Sequence, residues 1–196
     1  MKGSLAIDVA LLVSDSELTL LRKRNLDLLK SYPDGFSFDE THFPHVTLIQ
    51  RFVKTSDLAQ IIECVQEIFL RFAPLPIEVT GARLGGTTIN YAIAENSRLR
   101  DVHETLMKNL ADFEETEGAA DSFFNGDEPV RDRDVEIVGS FHSSQSLTRY
   151  YPHITLGVGR EAIYEKPFTL TLSRVAICQL GRFCTCRKIF WEQALS

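Results

Sequence analysis

Phe43-Pro44-His45-Val46-Thr47-Leu48 recurs as Tyr151-Pro152-His153-Ile154-Thr155-Leu156. All six positions are identical or conservatively replaced, and 108 residues separate the two histidines. The chain has only five histidines, so composition alone does not produce such a repeat. Each string reads as the start of a strand, where successive side chains alternate between faces. His45 and Thr47 then share one face, with Val46 and Leu48 opposite. His153 and Thr155 share one face, with Ile154 and Leu156 opposite. The apolar pair can anchor each strand in a core while the His-Thr pair faces a cleft. Residues two apart on a strand stand roughly 6.6 Å apart, so both can touch one tetrahedral phosphate.

Two such strands face to face would set two imidazoles and two hydroxyls about one phosphate. In-line displacement at phosphorus needs a base on the attacking oxygen and an acid on the departing one, on opposite sides. Histidine titrates near neutrality, so one ring can be neutral while the other is protonated. The threonines would hold the non-bridging oxygens, where charge accumulates. The expected catalytic pair is His45 and His153, with Thr47 and Thr155 binding phosphate. Two structural histidines on strand edges are the plainer alternative, but the repeat of threonine in register argues against it. A metal site would need further ligands, and no carboxylate or cysteine lies at ligand spacing beside either histidine in the sequence. The expectation is no metal and no cofactor.

Around these strings the pattern mixes helices and strands. An apolar run over 5–13, broken by Asp8, reads as a first strand rather than a signal peptide. Ser14 or Ser16 can cap a helix to about Lys30. The motif 1 strand covers 45–53. A helix from Thr55 or Ser56 to about Phe72 has Ile61, Ile62, Val65, Ile68 and Phe69 near a period of 3.6. Strands follow at 77–84 and 87–94, then a helix from Ser97. Further strands are expected at 135–141, 152–159, 167–173, 174–181 and 187–194. This is an α+β fold with mostly antiparallel sheets.

The 196 residues are 44% hydrophobic and 24% charged, a globular composition that excludes a disordered tail or a rod. No apolar run is long enough to cross a bilayer. The four cysteines, Cys64, Cys178, Cys184 and Cys186, are too few for a disulfide scaffold, and a reduced, cytoplasmic, monomeric protein is expected. The net charge of −6 is concentrated. Residues 114–136 hold nine acids against Arg131 and Arg133, a local −7, and the remainder has 18 acids and 19 bases. Overall acidity therefore does not oppose a phosphate-bearing ligand, and no Lys/Arg run suits a long duplex. The acidic segment reads as a surface loop or insertion, a lid or an element for a protein partner.

Other residues have more than one reading. Arg51, Arg149 and Arg160 flank the motifs and could bind phosphate, or be surface charges. Tyr91, Tyr150 and Tyr151 could stack on a base or cover a core. His42 sits in the loop before motif 1. His103 is expected on a solvated helix face, and His142 could reach the cleft. Cys184-Thr185-Cys186 is read as two reduced side chains in a turn or sheet, their thiols on one face.

The paired His-x-Thr-hydrophobic strings resemble the signature of the two-histidine phosphoesterase superfamily, which includes 2'-5' RNA ligase-like proteins and cyclic nucleotide phosphodiesterases. The resemblance implies one bilobal domain over 1–196, with two pseudo-symmetric lobes about a central cleft, helices outside, and the 114–136 insertion within it. It implies metal-free hydrolysis or formation of a 2',3'-cyclic phosphate or 2'-5' linkage on a nucleotide or RNA end. Residues Arg51, Tyr91, Arg149 and Tyr151 become candidate substrate contacts. The alternative is an AMP-like nucleotide sensor with little turnover. Motif 1 continues as Ile49-Gln50-Arg51-Phe52 where many members carry Phe-Leu-Gly, and Thr148 stands where an arginine is frequent.

Overall fold

Strand β1 (Ser4–Val13) is buried from Ala6 onward, Asp8 included. A computed structural model describes residues 3–126, 129–161 and 163–196. Helix α1 (Asp15–Ser31) follows, then β2 (His45–Lys54), α2 (Leu58–Phe69), β3 (Leu75–Gly85), β4 (Thr88–Ile93) and α3 (Ser97–Asn109). The remaining elements are α4 (Asp132–Gln145), β5 (His153–Val158), β6 (Phe168–Leu180) and β7 (Cys186–Ala194). In α2, Ile61, Val65 and Phe69 form the buried stripe, as the 3.6 period predicts. Asn96, not Ser97, caps α3: its side chain accepts the Leu99 N–H at 3.2 Å.

The strands form one antiparallel sheet in the order β2-β1-β6-β3-β4-β5, with β7 also paired to β6. The two strands expected at 167–173 and 174–181 are the single β6. Its first part pairs with β3 and its second with β1, so it is the spine shared by both halves. The ends of the path, β2 and β5, lie against each other. That places the two motif strands face to face.

The halves repeat in register. Thr47 pairs with Ala10 and His45 with Leu12; Thr155 pairs with Asn90 and His153 with Ala92. Both motif strands bulge at the motif leucine, since Ile49 pairs with Val9 and Gly157 with Ile89, leaving Leu48 and Leu156 as the extra residues. A bulge frees a backbone carbonyl that must find a partner if buried. Asn25 of α1 donates to the Leu156 carbonyl at 2.7 Å, and His103 of α3 meets the Leu48 carbonyl at 2.6 Å. Each residue also pins the loop ahead of the other motif. Asn25 bonds both Phe36 O and Phe38 N at 2.9 Å, and His103 Nε2 accepts the Leu147 N–H at 2.8 Å.

Two expectations need correction. Residues 135–141 are helical, inside α4. Val135 and Ile137 alternate briefly like a strand, but the buried residues Asp134, Val138 and Phe141 recur three to four apart. His103 is fully buried rather than solvated. The acidic segment is also more than a loop. Glu115 bridges to Phe52, and Phe123 meets the Phe52 ring edge-on at 5.9 Å. Asp127 and Glu128 of that segment lie outside the described residues. At Gly118 an added Cβ would stand 2.2 Å from the Phe52 ring. Gly118→Ala should therefore cost about 1–3 kcal/mol, read as a lower urea midpoint with unchanged slope. Among the described residues, no helix is long and apolar enough to cross a membrane.

Candidate active site

Both motif histidines are oriented by backbone. His45 Nδ1 lies 2.7 Å from the Phe43 carbonyl, and His153 Nδ1 lies 2.9 Å from the Tyr151 carbonyl. A carbonyl only accepts, so each Nδ1 carries a proton and each Nε2 is left for chemistry. His45, Thr47, His153 and Thr155 line one cleft of about 310 Å³. Phe36, Phe38 and Phe183 form an aromatic wall, with Phe36 5.7 Å from Phe38 and 5.8 Å from Phe183. Helix α4 supplies a second wall through Arg133, Ile137, Phe141 and Gln145, one face at helical spacing. Arg131 and Arg149 also line the cleft.

Beneath His45 the two halves differ. Asp8 occupies the position that Thr88 occupies in the second half, by the paired registers. Asp8 is fully buried. Its Oδ2 accepts the Thr47 hydroxyl at 2.7 Å and Gln50 Nε2 at 3.0 Å, and lies 3.5 Å from His45 Nε2. The Thr47 proton is thus directed at Asp8, whereas the Thr155 hydroxyl has no protein partner among the described residues.

The electrostatics follow. Burial alone would push His45 down, but the hydrogen bond and charge of Asp8, with the Phe43 carbonyl, outweigh it and raise the pKa. Burial pushes His153 down; the Tyr151 carbonyl opposes this, and the charge of His45 adds to it. His103 is also pushed down by burial. Its Nε2 must stay an acceptor for Leu147, which holds a left-handed φ of 54°. The ring stacks on Tyr150 at 4.0 Å, and the Tyr150 hydroxyl donates to Thr47 O at 2.9 Å. His103→Ala should cost about 2–3 kcal/mol through two stranded backbone groups. It should also remove an acid-sensitive part of the stability. A neutral buried histidine favours the folded state above the unfolded pKa, and that advantage is lost as pH falls through the lower folded pKa. Urea curves at two pH values measure both.

The candidate substrate contacts divide. Arg149 and Tyr151 line the cleft; Tyr151 is 48% exposed, with its ring 6.2 Å from His153 and Arg83 5.7 Å from the ring centroid. Arg51 and Tyr91 face away. The Leu48 bulge shifts the alternation by one residue, so Gln50 joins the site face and Arg51 is buried against Leu110 and Met107. Tyr91 is buried beside Ile154 and donates to Glu165 at 3.0 Å. Tyr150 is buried as a cover. His142 pairs with Glu114 at 3.0 Å and is not among the cleft residues; nor is Arg160. His42 does line the cleft, beside Phe36.

No carboxylate or cysteine lies at ligand spacing beside the histidines in the sequence, yet the fold brings one of each to His45 from distant strands. Asp8, His45 and Cys186 each bring a donor atom within 4.8 Å of the others. The set is poorly tuned for a cation, because burial pushes the Cys186 thiol well up, away from the thiolate a metal needs. The four cysteines are free. Cys184 ends a short turn and Cys186 opens β7, so they do not share a strand face.

The model of the 2'-5' RNA ligase superfamily matches residues 26–169, which span both motifs. The chain belongs to the 2'-5' RNA ligase superfamily. Its fold is that of several solved structures of low sequence identity. The structure of TT0787 of Thermus thermophilus superposes with a TM-score of 0.60 at 11% identity, over 97% of this chain and 98% of that one. That of E. coli LigT complexed with phosphate gives 0.59 at 13%, over 100% and 99%. That of LigT complexed with 3'-AMP gives 0.52 at 14%, over 98% and 99%. No curated protein sequence matches the chain. In this superfamily member the two lobes expected from the resemblance are halves of one continuous sheet joined through β6.

Proposed function

We propose that the chain is a metal-independent phosphodiesterase acting on 2',3'-cyclic phosphates or 2'-5' linkages of nucleotides or RNA ends. The observation that carries this reading is the matched pair of histidines, each with Nδ1 tied to the carbonyl two residues back and both rings lining the same cleft. One ring removes the proton of the attacking oxygen and the other protonates the departing oxygen. Thr155, with its free hydroxyl, holds a non-bridging oxygen; Thr47 completes the cradle while anchored on Asp8. Arg133 and Arg149 supply positive charge for further phosphates, and Tyr151 offers a stacking face for a base. Support comes from the E. coli LigT structures with phosphate and 3'-AMP.

The test is a product assay with EDTA present, using 2',3'-cyclic nucleotides and short RNAs with a cyclic phosphate end or a 2'-5' linkage. Opening to a single monophosphate isomer is expected, with no loss on chelation. Activity abolished by EDTA would sink the metal-free mechanism. The LigT structures with ATP and NADP+ favour a second reading, a nucleotide sensor. Tight nucleotide binding without turnover would establish it.

A further inference from the structure

We infer that Asp8 is the charge partner that assigns the two histidines their roles: His45 protonates the departing oxygen and His153 takes the proton of the attacking one. This rests on the phosphodiesterase reading and deepens it.

His45 Nδ1 faces the Phe43 carbonyl at 2.7 Å and His45 Nε2 faces the Asp8 carboxylate at 3.5 Å. Both neighbours are acceptors, so the ring is satisfied by a proton on each nitrogen, the imidazolium. His153 has one acceptor, the Tyr151 carbonyl. Its Nε2 lone pair is free for an incoming hydroxyl proton. The two motif strands are paired in the same register, and Thr88 stands at the register position in the second half that Asp8 holds in the first. The Thr88 hydroxyl bonds the Gly85 carbonyl and brings no charge. One acidic side chain therefore breaks the symmetry.

Asp8 itself requires a cation. It is fully buried, and its Oδ1 has no hydrogen-bond partner. A buried carboxylate without a countercharge is costly. Thr47 and Gln50 donate to Oδ2 but are neutral. The other titratable groups packed around His45 and Asp8 come from five places: His153 on β5, Tyr150 just before it, Cys178 on β6 directly across from Asp8, Cys184 on the turn after β6 and Cys186 on β7. Burial pushes the Tyr150 phenol and the thiols of Cys184 and Cys186 up, so they stay neutral near pH 7, and Cys178 is a thiol that can form no cation. Arg131, Arg133 and Arg149 line the cleft, but none is paired with Asp8. His45 is the one cation-forming group in ion-pair range of Asp8 among the described residues.

The step balances simply. The attacking oxygen, from water on a cyclic phosphate or from the adjacent ribose hydroxyl on a 2'-5' linkage, forms its bond to phosphorus. Its proton passes to His153 Nε2. The bond from phosphorus to the departing oxygen breaks, and that oxygen takes the Nε2 proton of His45. The two rings end with exchanged proton states, and solvent restores them. The departing oxygen must therefore lie on the β2 side of the cleft and the attacking one on the β5 side.

The pH profile carries the signature. Turnover falls on the acid side as His153 gains a proton and on the alkaline side as His45 loses one. Asp8→Asn keeps the shape but removes the charge, so burial dominates and His45 deprotonates earlier. The alkaline limb should move down by about one unit or more, while the acid limb, on which the Asp8 charge is the smallest influence, should move down much less. At mildly alkaline pH kcat should drop by about 10–100-fold with KM little changed. A leaving-group test separates acid from base. On an adenosine 2'-(p-nitrophenyl) phosphodiester, whose aryloxide departs without a proton, the deficits of His45→Ala and Asp8→Asn should shrink to within about 3-fold. The deficit of His153→Ala should persist.

Should Asp8→Asn fail to fold, the wild-type protein still decides the pairing through imidazole NMR. His45 is expected to stay charged to higher pH than His153. An unmoved alkaline limb, rescue of His153→Ala instead of His45→Ala, or His45 titrating below His153 would each overturn the inference. A wild type without turnover on any substrate, yet with the expected NMR order, would instead sink the phosphodiesterase reading and leave the Asp8–His45 pairing upheld.

Discussion

Alanine at His153 is expected to lower kcat/KM on a 2',3'-cyclic nucleotide by about 10³–10⁴-fold, with KM nearly unchanged. That corresponds to about 4–5.5 kcal/mol of lost transition-state stabilisation. The effect is large because nothing else in the cleft can take the proton near neutrality. His42 is engaged with Asp39 and stacked beside Phe36, and His142 is paired with Glu114 away from the cleft. Alanine at His45 should cost a similar factor, and the double variant little more, since the two rings act on one transition state. Stability should separate the two. His153 is half-buried and gives up only a bond to the Tyr151 carbonyl, so its loss should move the urea midpoint little. Removing His45 strands Asp8 in the sheet and should cost about 2–4 kcal/mol. Equal stabilities for the two variants would contradict the Asp8 pairing, and retained turnover in either would contradict the two-histidine mechanism. Steady-state kinetics and urea titrations on the same samples read both.

The motif strands were legible because two independent periodicities coincided in them: the alternation of faces within each string and the repeat of the string. His45, Thr47, His153 and Thr155 share the cleft as that alternation requires. Alternation also misled. A bulge adds one residue without any mark in the sequence, so Arg51, odd-numbered like His45 and Thr47, turns to the other face and Gln50 replaces it. The α4 region misled for a related reason: Val135 and Ile137, two apart, look like a strand until Asp134, Val138 and Phe141 are counted together. Asp8 was visible as a lone charge in an apolar strand, and a buried charge in such a place asks for a partner. What could not be read was which residue that partner is, since β1 and β2 meet only through long-range pairing. Asn25 and His103 were invisible for the same reason. Their partners are carbonyls freed by bulges on strands far along the chain.

Arg131→Met is expected to destabilise the protein by about 3 kcal/mol, a fall in Tm of about 6–12 °C for a chain of this size. Arg131 and Asp134 lie in the last part of the acidic segment, where α4 begins. Asp134 is fully buried, and the Arg131 guanidinium grips both its oxygens, Nε at 3.1 Å and Nη2 at 2.5 Å. The same guanidinium lies 4.0 Å over the Phe183 ring. Methionine keeps the stem and some of that packing but removes the charge, leaving Asp134 buried without its cation. Losing one partner of a buried pair costs more than losing both. The double variant Arg131→Met with Asp134→Asn should therefore regain most of the lost stability. The pair also fixes the start of α4, the helix that walls the cleft through Arg133, Ile137 and Phe141. Loosening it should raise KM for an RNA end by about 10-fold, with a smaller change in kcat, because the histidines stand on strands that α4 does not carry. Denaturant titrations followed by Trp191 fluorescence, with kinetics on the same variants, distinguish the cases. A double variant no more stable than Arg131→Met would show that the arginine acts through packing on Phe183 and not through Asp134.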